Sequence, residues 1–248
     1  MGAELVALGY LAKKAYDKLE DAFTDKVINR WRNHRARAFL DTFAEAVAQE
    51  AQDKGGEEKV NSLLDDLLSS ETKTEILFEA YRRVVFSASK DLGPRIIALL
   101  TAHLIKQNRH AVDDEEITFR AAESFTDQEL QSLKAYLAEV AESYNTTAPH
   151  FPLKITLHRK RLSVSKRRRA TAKIGSMDLI EILGSWAPKA IQIGLLREEI
   201  VEETSYSGGV RDNDVEYERE IEWFLVFAPA SARLVALIER AEESTSKA

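Results

Sequence analysis

The segment Pro94–Lys106 (PRIIALLTAHLIK) constrains the fold more than any other stretch of the chain. Ile96, Ile97, Ala98, Leu99, Leu100, Ala102, Leu104 and Ile105 cover nearly the whole circumference of a helix, and only Thr101 and His103 interrupt them. A helix that is apolar all round is buried on all sides. About 13 residues cannot cross a bilayer, which needs roughly 20. The segment is therefore expected to be the central helix of an all-helical core. Gly93 and Pro94 mark its start, where a missing N–H costs nothing.

The totals narrow the class. Of 248 residues, 44% are hydrophobic and 31% charged, the balance of an ordinary globular chain. A formal net charge of −6 gives no bulk attraction to nucleic acid or anionic membrane. Cysteine is absent, which excludes disulfides, thiol chemistry and thiolate zinc sites. The opening MGAELVALGYLAKK lacks a basic n-region and a small-residue cleavage site, so no secretory leader is expected. No window is long enough to span a membrane, and the expected location is the cytoplasm.

Leu5 to about Ala51 keeps a three-to-four-residue apolar rhythm, as one long helix or two hinged near Phe23–Asp25. Its middle, Arg30–Arg37, is basic and carries Trp31. Gln52–Glu58, with Gly55-Gly56, reads as a loop. A short helix over Lys59–Leu68 follows. Thr72 with Glu75, Asp113 with Glu116, and Thr126 with Glu129 stand at capping-box spacing and predict three helix starts. The acidic run Asp113–Glu116 resembles a hard-cation site, but acids at a helix N-terminus are favoured by the dipole without any metal.

Asn145–Pro152 (NTTAPHFP) predicts the change of architecture, with a helical bundle over 1–148 and a small α+β domain over 149–248. Lys154–Ser165 reads as a strand. Met177–Trp186 and Pro188–Leu196 read as short helices separated at Ala187-Pro188. Glu199–Tyr206 and Val215–Phe227 read as a hairpin turning at Ser207-Gly208-Gly209, and Ala230–Glu242 as a last helix. The fold class is mostly α. Residues Met177–Ile238 resemble a winged-helix module, on Leu179, Leu183, Gly194-Leu195 and the Phe227–Leu234 junction. A reading helix wants Arg, Lys, Asn or Gln at base edges, and Pro188–Leu196 offers only Lys189 and Gln192. Residues 198–222 hold ten acids against Arg211 and Arg219, a wing that phosphate repels. The module is expected to meet a protein, with Glu216, Glu218, Glu220 and Trp223 as candidate contacts.

The whole chain is similar to bacterial proteins of the Abi-alpha type, linked to abortive infection, on Pro94–Ile105, Phe125–Leu130 and Phe227–Leu234. That resemblance implies a setting in phage defence and transfers no active site.

The strongest charge feature is Arg159, Lys160, Arg161, Lys166, Arg167, Arg168 and Arg169, seven bases without an acid. Three readings stand open: a solvated strand edge, internal pairing with the acidic hairpin, or contact with RNA, DNA or anionic lipid through phosphates. No aromatic is interleaved to stack bases. Enzyme signatures are missing: no phosphate-cradling Gly-rich loop, no His-Glu-x-x-His, no Gly-x-Ser-x-Gly. The five histidines are scattered, and His103 is expected in the core. No cofactor or metal is expected. The expected function is a non-catalytic bacterial interaction or regulatory module, an immunity protein that neutralises a toxin being one form. Nucleic-acid binding through 159–169 is the alternative.

Overall fold

Helix α4 (Leu92–Gln107) is the axis of the computed structural model, which describes residues 10, 12–14, 16, 17, 34–54, 57–143, 152–165, 178–207 and 216–247. Around it the chain runs α1 (His34–Lys54), α2 (Glu57–Ser69), α3 (Glu71–Phe86), α5 (Asp113–Ser124) and α6 (Asp127–Ser143). Then come β1 (Leu153–Ser165), α7 (Leu179–Leu183), α8 (Trp186–Ile193), β2 (Leu196–Ser207), β3 (Glu216–Phe227) and α9 (Ala230–Lys247). The chain is mostly helical, with a small antiparallel sheet of order β1-β3-β2 toward its C-terminal end.

The central position of α4 follows from its sequence. Leu92 to Leu100, apart from Arg95, together with Thr101 and Leu104, are buried. Helices α1, α3, α5 and α9 pack against it. Buried Thr101 satisfies itself by donating to the Ile97 carbonyl at 2.6 Å. His103 corrects the expectation of a core histidine. It is exposed, beside Gln107 at 2.9 Å, because the apolar arc opens over the last turn.

The N-terminus of α4 is built from a distance. The Asp127 carboxylate accepts from the backbone N–H groups of Lys90 (3.0 Å), Asp91 (3.3 Å) and Leu92 (2.8 Å), and from the Ser89 hydroxyl. A carboxylate here satisfies free amides and faces the positive end of the dipole. Desolvation works against its charge, yet these four donors hold the Asp127 pKa below the ordinary carboxylate value. Gly93 lies where an added Cβ would come within 2.3 Å of the Ala122 carbonyl oxygen. Only glycine lets α4 approach α5 this closely.

The capping expectations divide. Thr126 and Glu129 form the reciprocal box, with Thr126 N–H donating to Glu129 at 2.9 Å and Glu129 N–H to Thr126 Oγ1 at 3.2 Å. Helix α3 is instead capped by Ser70, whose hydroxyl accepts from Lys73 N–H, so the cap stands two residues before Thr72. Helix α5 begins after Val112. Valine offers no side-chain acceptor, and only the return bond forms, from Val112 N–H to Glu115 at 3.0 Å.

The break between α7 and α8 also differs from expectation. It falls at Gly184 (φ +100°) and Ser185, and Pro188 sits in the first turn of α8, where its missing N–H has no partner to lose. Gly194, at φ +82°, ends α8 in the left-handed conformation, with Leu195 N–H returning to Ala190 at 2.8 Å. The expected strands and last helix are present; β2 starts three residues earlier than expected and α9 runs five residues further. The described elements thus give a helical bundle and a small winged-helix-like α+β part. Helix α9 lays Leu234, Leu237, Ile238 and Ala241 into the same buried cluster as α4. Residues 144–151 and 18–33, which carry the expected boundary, the hinge and Trp31, lie outside the described residues.

Candidate functional site

The sheet gathers most of the residues singled out by charge. In register, Arg159 stands opposite Glu222, Lys160 opposite Ile221 and Arg161 opposite Glu220. Directly opposed residues of an antiparallel pair share one face with Cβ atoms about 5 Å apart. Two positions of the basic strip, 159 and 161, thus stand opposite acidic positions of β3, while position 160 stands opposite Ile221. Ser163 and Ser165 stand opposite Glu218 and Glu216. Lys166, Arg167, Arg168 and Arg169 lie outside the described residues. Trp223 is buried, at 6% exposure, and so faces the interior.

Strand β2 borders β3 on the other side, and among the described residues no further strand pairs with it. Its sequence LREEIVEETSYS places Glu198, Ile200, Val201, Glu202 and Glu203 in exposed positions. Ile200 is 50% and Val201 36% exposed. Glu203 lies opposite Glu220, and Arg161 stands opposite the same Glu220 in the register of β1. Glu199 differs. It accepts from Lys154 Nζ at 2.9 Å and from Arg197 at 2.8 Å, and the Lys154 bond above all lowers its pKa. Lys154 lies 4.0 Å over the Phe224 ring between them.

The buried carboxylates serve the architecture. Glu115, 0% exposed, accepts from Arg109 at 2.6 and 2.8 Å and lies 3.0 Å from Arg233 of α9. The Arg109 hydrogen bonds lead in lowering its pKa to about 2, against the opposing effect of burial. Glu129 binds Lys189 at 2.7 Å and Ser185 at 2.9 Å, tying α6 to the start of α8. Glu116 pairs with Arg83 at 2.9 Å, and Arg83 lies 4.8 Å over Phe119. The acidic run Asp113–Glu116 is thus partly spent on arginine. Among the described residues no group of three or more His, Asp or Glu is placed to hold a metal.

These contacts also bear on a reading helix. Helix α8 packs against α5, α6 and β2. Lys189 is committed to Glu129, which leaves exposed Gln192 as its remaining base-reading type. Sequence reasoning missed Arg109 and Arg233, whose roles depend on contacts between distant segments. It also missed Phe78 and Phe86, 58% and 70% exposed on α3, which no apolar period required to face outward. Set against family models, curated proteins and solved structures, the chain matches none of them.

Proposed function

We propose that the chain is a non-catalytic interaction module that receives a basic segment of a partner protein along the acidic edge of β2. The observation that carries this reading is the exposed set Glu198, Glu202 and Glu203 on a strand that is outermost among the described residues, with Ile200 and Val201 uncovered between them. A sheet edge offers unpaired backbone groups to an added strand. The carboxylates would select cations and the two apolar side chains would add buried area. The setting proposed is bacterial phage defence or toxin neutralisation, supported by the fit of an acidic chain to basic partners and by the Abi-alpha resemblance.

The test is recovery of the full chain from its source cells, beside a Glu198→Lys, Glu202→Lys, Glu203→Lys variant with an unchanged circular dichroism spectrum. The expected result is one stoichiometric basic protein with the parent and its loss with the variant. Equal recovery with both rejects the edge. Salt-sensitive heparin retention that disappears in Arg167→Ala, Arg168→Ala, Arg169→Ala, with no protein recovered, would replace this reading with nucleic-acid binding.

A further inference from the structure

A cavity of about 210 Å³ opens between α4 and α9, away from the sheet. Its floor is apolar: Leu99, Leu100 and Leu237, all buried, with Ala236 beside them. Its rim is His103, Arg233 and Arg240, and no carboxylate is among the described residues that line it. This is unusual in a chain of net charge −6 whose α9 also carries Glu239, Glu242 and Glu243.

The rim charge is only partly cancelled locally. Arg233 shares the single carboxylate of Glu115 with Arg109, so two guanidiniums face one anion. Arg240 makes no side-chain ion pair or hydrogen bond among the described residues; only its carbonyl is engaged, by Ser244 at 3.2 Å. Among the described residues, His103 hydrogen-bonds to Gln107 alone. A guanidinium fork recognises carboxylate or phosphate oxygens. An apolar floor beside such a fork recognises a short hydrocarbon tail. The volume lies below the ~300–1,000 Å³ usual for drug-sized ligands, so the occupant is small.

We propose that this cavity binds a small amphipathic anion, a carboxylate or phosphate head on a short alkyl chain, with the head on Arg240, Arg233 and His103 and the tail on Leu99, Leu100 and Leu237. The site is independent of the β2 edge, and either can fail without the other.

The experiment is calorimetric titration of the full chain with ethyl, butyl and hexyl phosphate, with hexylammonium as the charge-reversed control. Affinity is expected to rise about fourfold per added methylene until the cavity fills, and hexylammonium is expected not to bind. Arg240→Ala, at an exposed position whose side chain has no ion pair or hydrogen bond among the described residues, should weaken hexyl phosphate by about tenfold. Arg240→Ala with His103→Ala should weaken it further, with the melting temperature of the free protein unchanged. Sedimentation with phosphatidylglycerol vesicles separates the sources: retention lost in Arg240→Ala assigns the anion to a lipid headgroup, and no retention assigns it to a free metabolite. Equal binding of hexylammonium, no dependence on chain length, or an Arg240→Ala variant of full affinity would overturn the proposal.

Discussion

Glu115 is the residue on which the C-terminal helix is fastened to the bundle. It is fully buried between Arg109, from the loop after α4, and Arg233, from α9. Glu115 is the buried member of this group, while Arg109 and Arg233 reach solvent, so the two cations left behind by its removal are partly hydrated. Glu115→Gln is therefore expected to lower the urea midpoint, because the buried link between the bundle and α9 is lost. The pH dependence has a definite sign. The folded-state pKa of about 2 lies below the ordinary 4.5, so the contribution is complete above pH 4.5 and is lost as pH falls toward 2. The parent should lose stability across that window, and Glu115→Gln should lose less. A pH profile unchanged by the substitution would remove Glu115 from this role. Gly93 makes a second residue-scale claim. Gly93→Ala places a Cβ 2.3 Å from the Ala122 carbonyl, a backbone atom that cannot swing away. A loss of several kcal/mol is expected, and a melting temperature equal to the parent's would show that α4 and α5 can separate freely.

At the scale of elements, local rules located most of the structure, and they failed where a distant residue intervened. The Thr126–Glu129 box is a three-residue device and was legible. Ser70 displaced Thr72 because either hydroxyl can cap, and Ser70 stands immediately before Glu71, where α3 begins. The cap of α4 could not be read locally at all, since Asp127 belongs to α6. The basic strip reads differently once β1 is in register. Arg161 opposite Glu220 and Arg159 opposite Glu222 make part of it a cross-strand match. Arg161→Glu should destabilise the sheet, and Glu220→Lys added to it should restore part of the loss. A coupling of about 0.5–1 kcal/mol in the double-mutant cycle is expected. A coupling of zero would return these arginines to solvent or to a ligand.

Across the whole molecule, the apolar sequence of Ile96–Leu104 was enough to name the centre, because so wide an apolar arc needs partners around most of the helix. What sequence did not disclose is that one buried cluster continues from α1 through α4 to Leu234 and Ile238 of α9. The candidate site was legible as charge, in the acids of 198–222, but not as geometry. That β2 is an outer strand with Ile200 and Val201 uncovered depends on strand order, which no local pattern encodes. The central structural claim is that the C-terminal part shares one core with the bundle and holds its acidic edge outward from a rigid base. Amide hydrogen exchange measures this most directly. Buried amides of α4, from Ile96 to Leu104, and of α9, from Leu234 to Ala241, are expected to exchange together at the slowest rate in the protein. Exchange of α9 orders of magnitude faster than α4 would mean two separately unfolding parts and would contradict it.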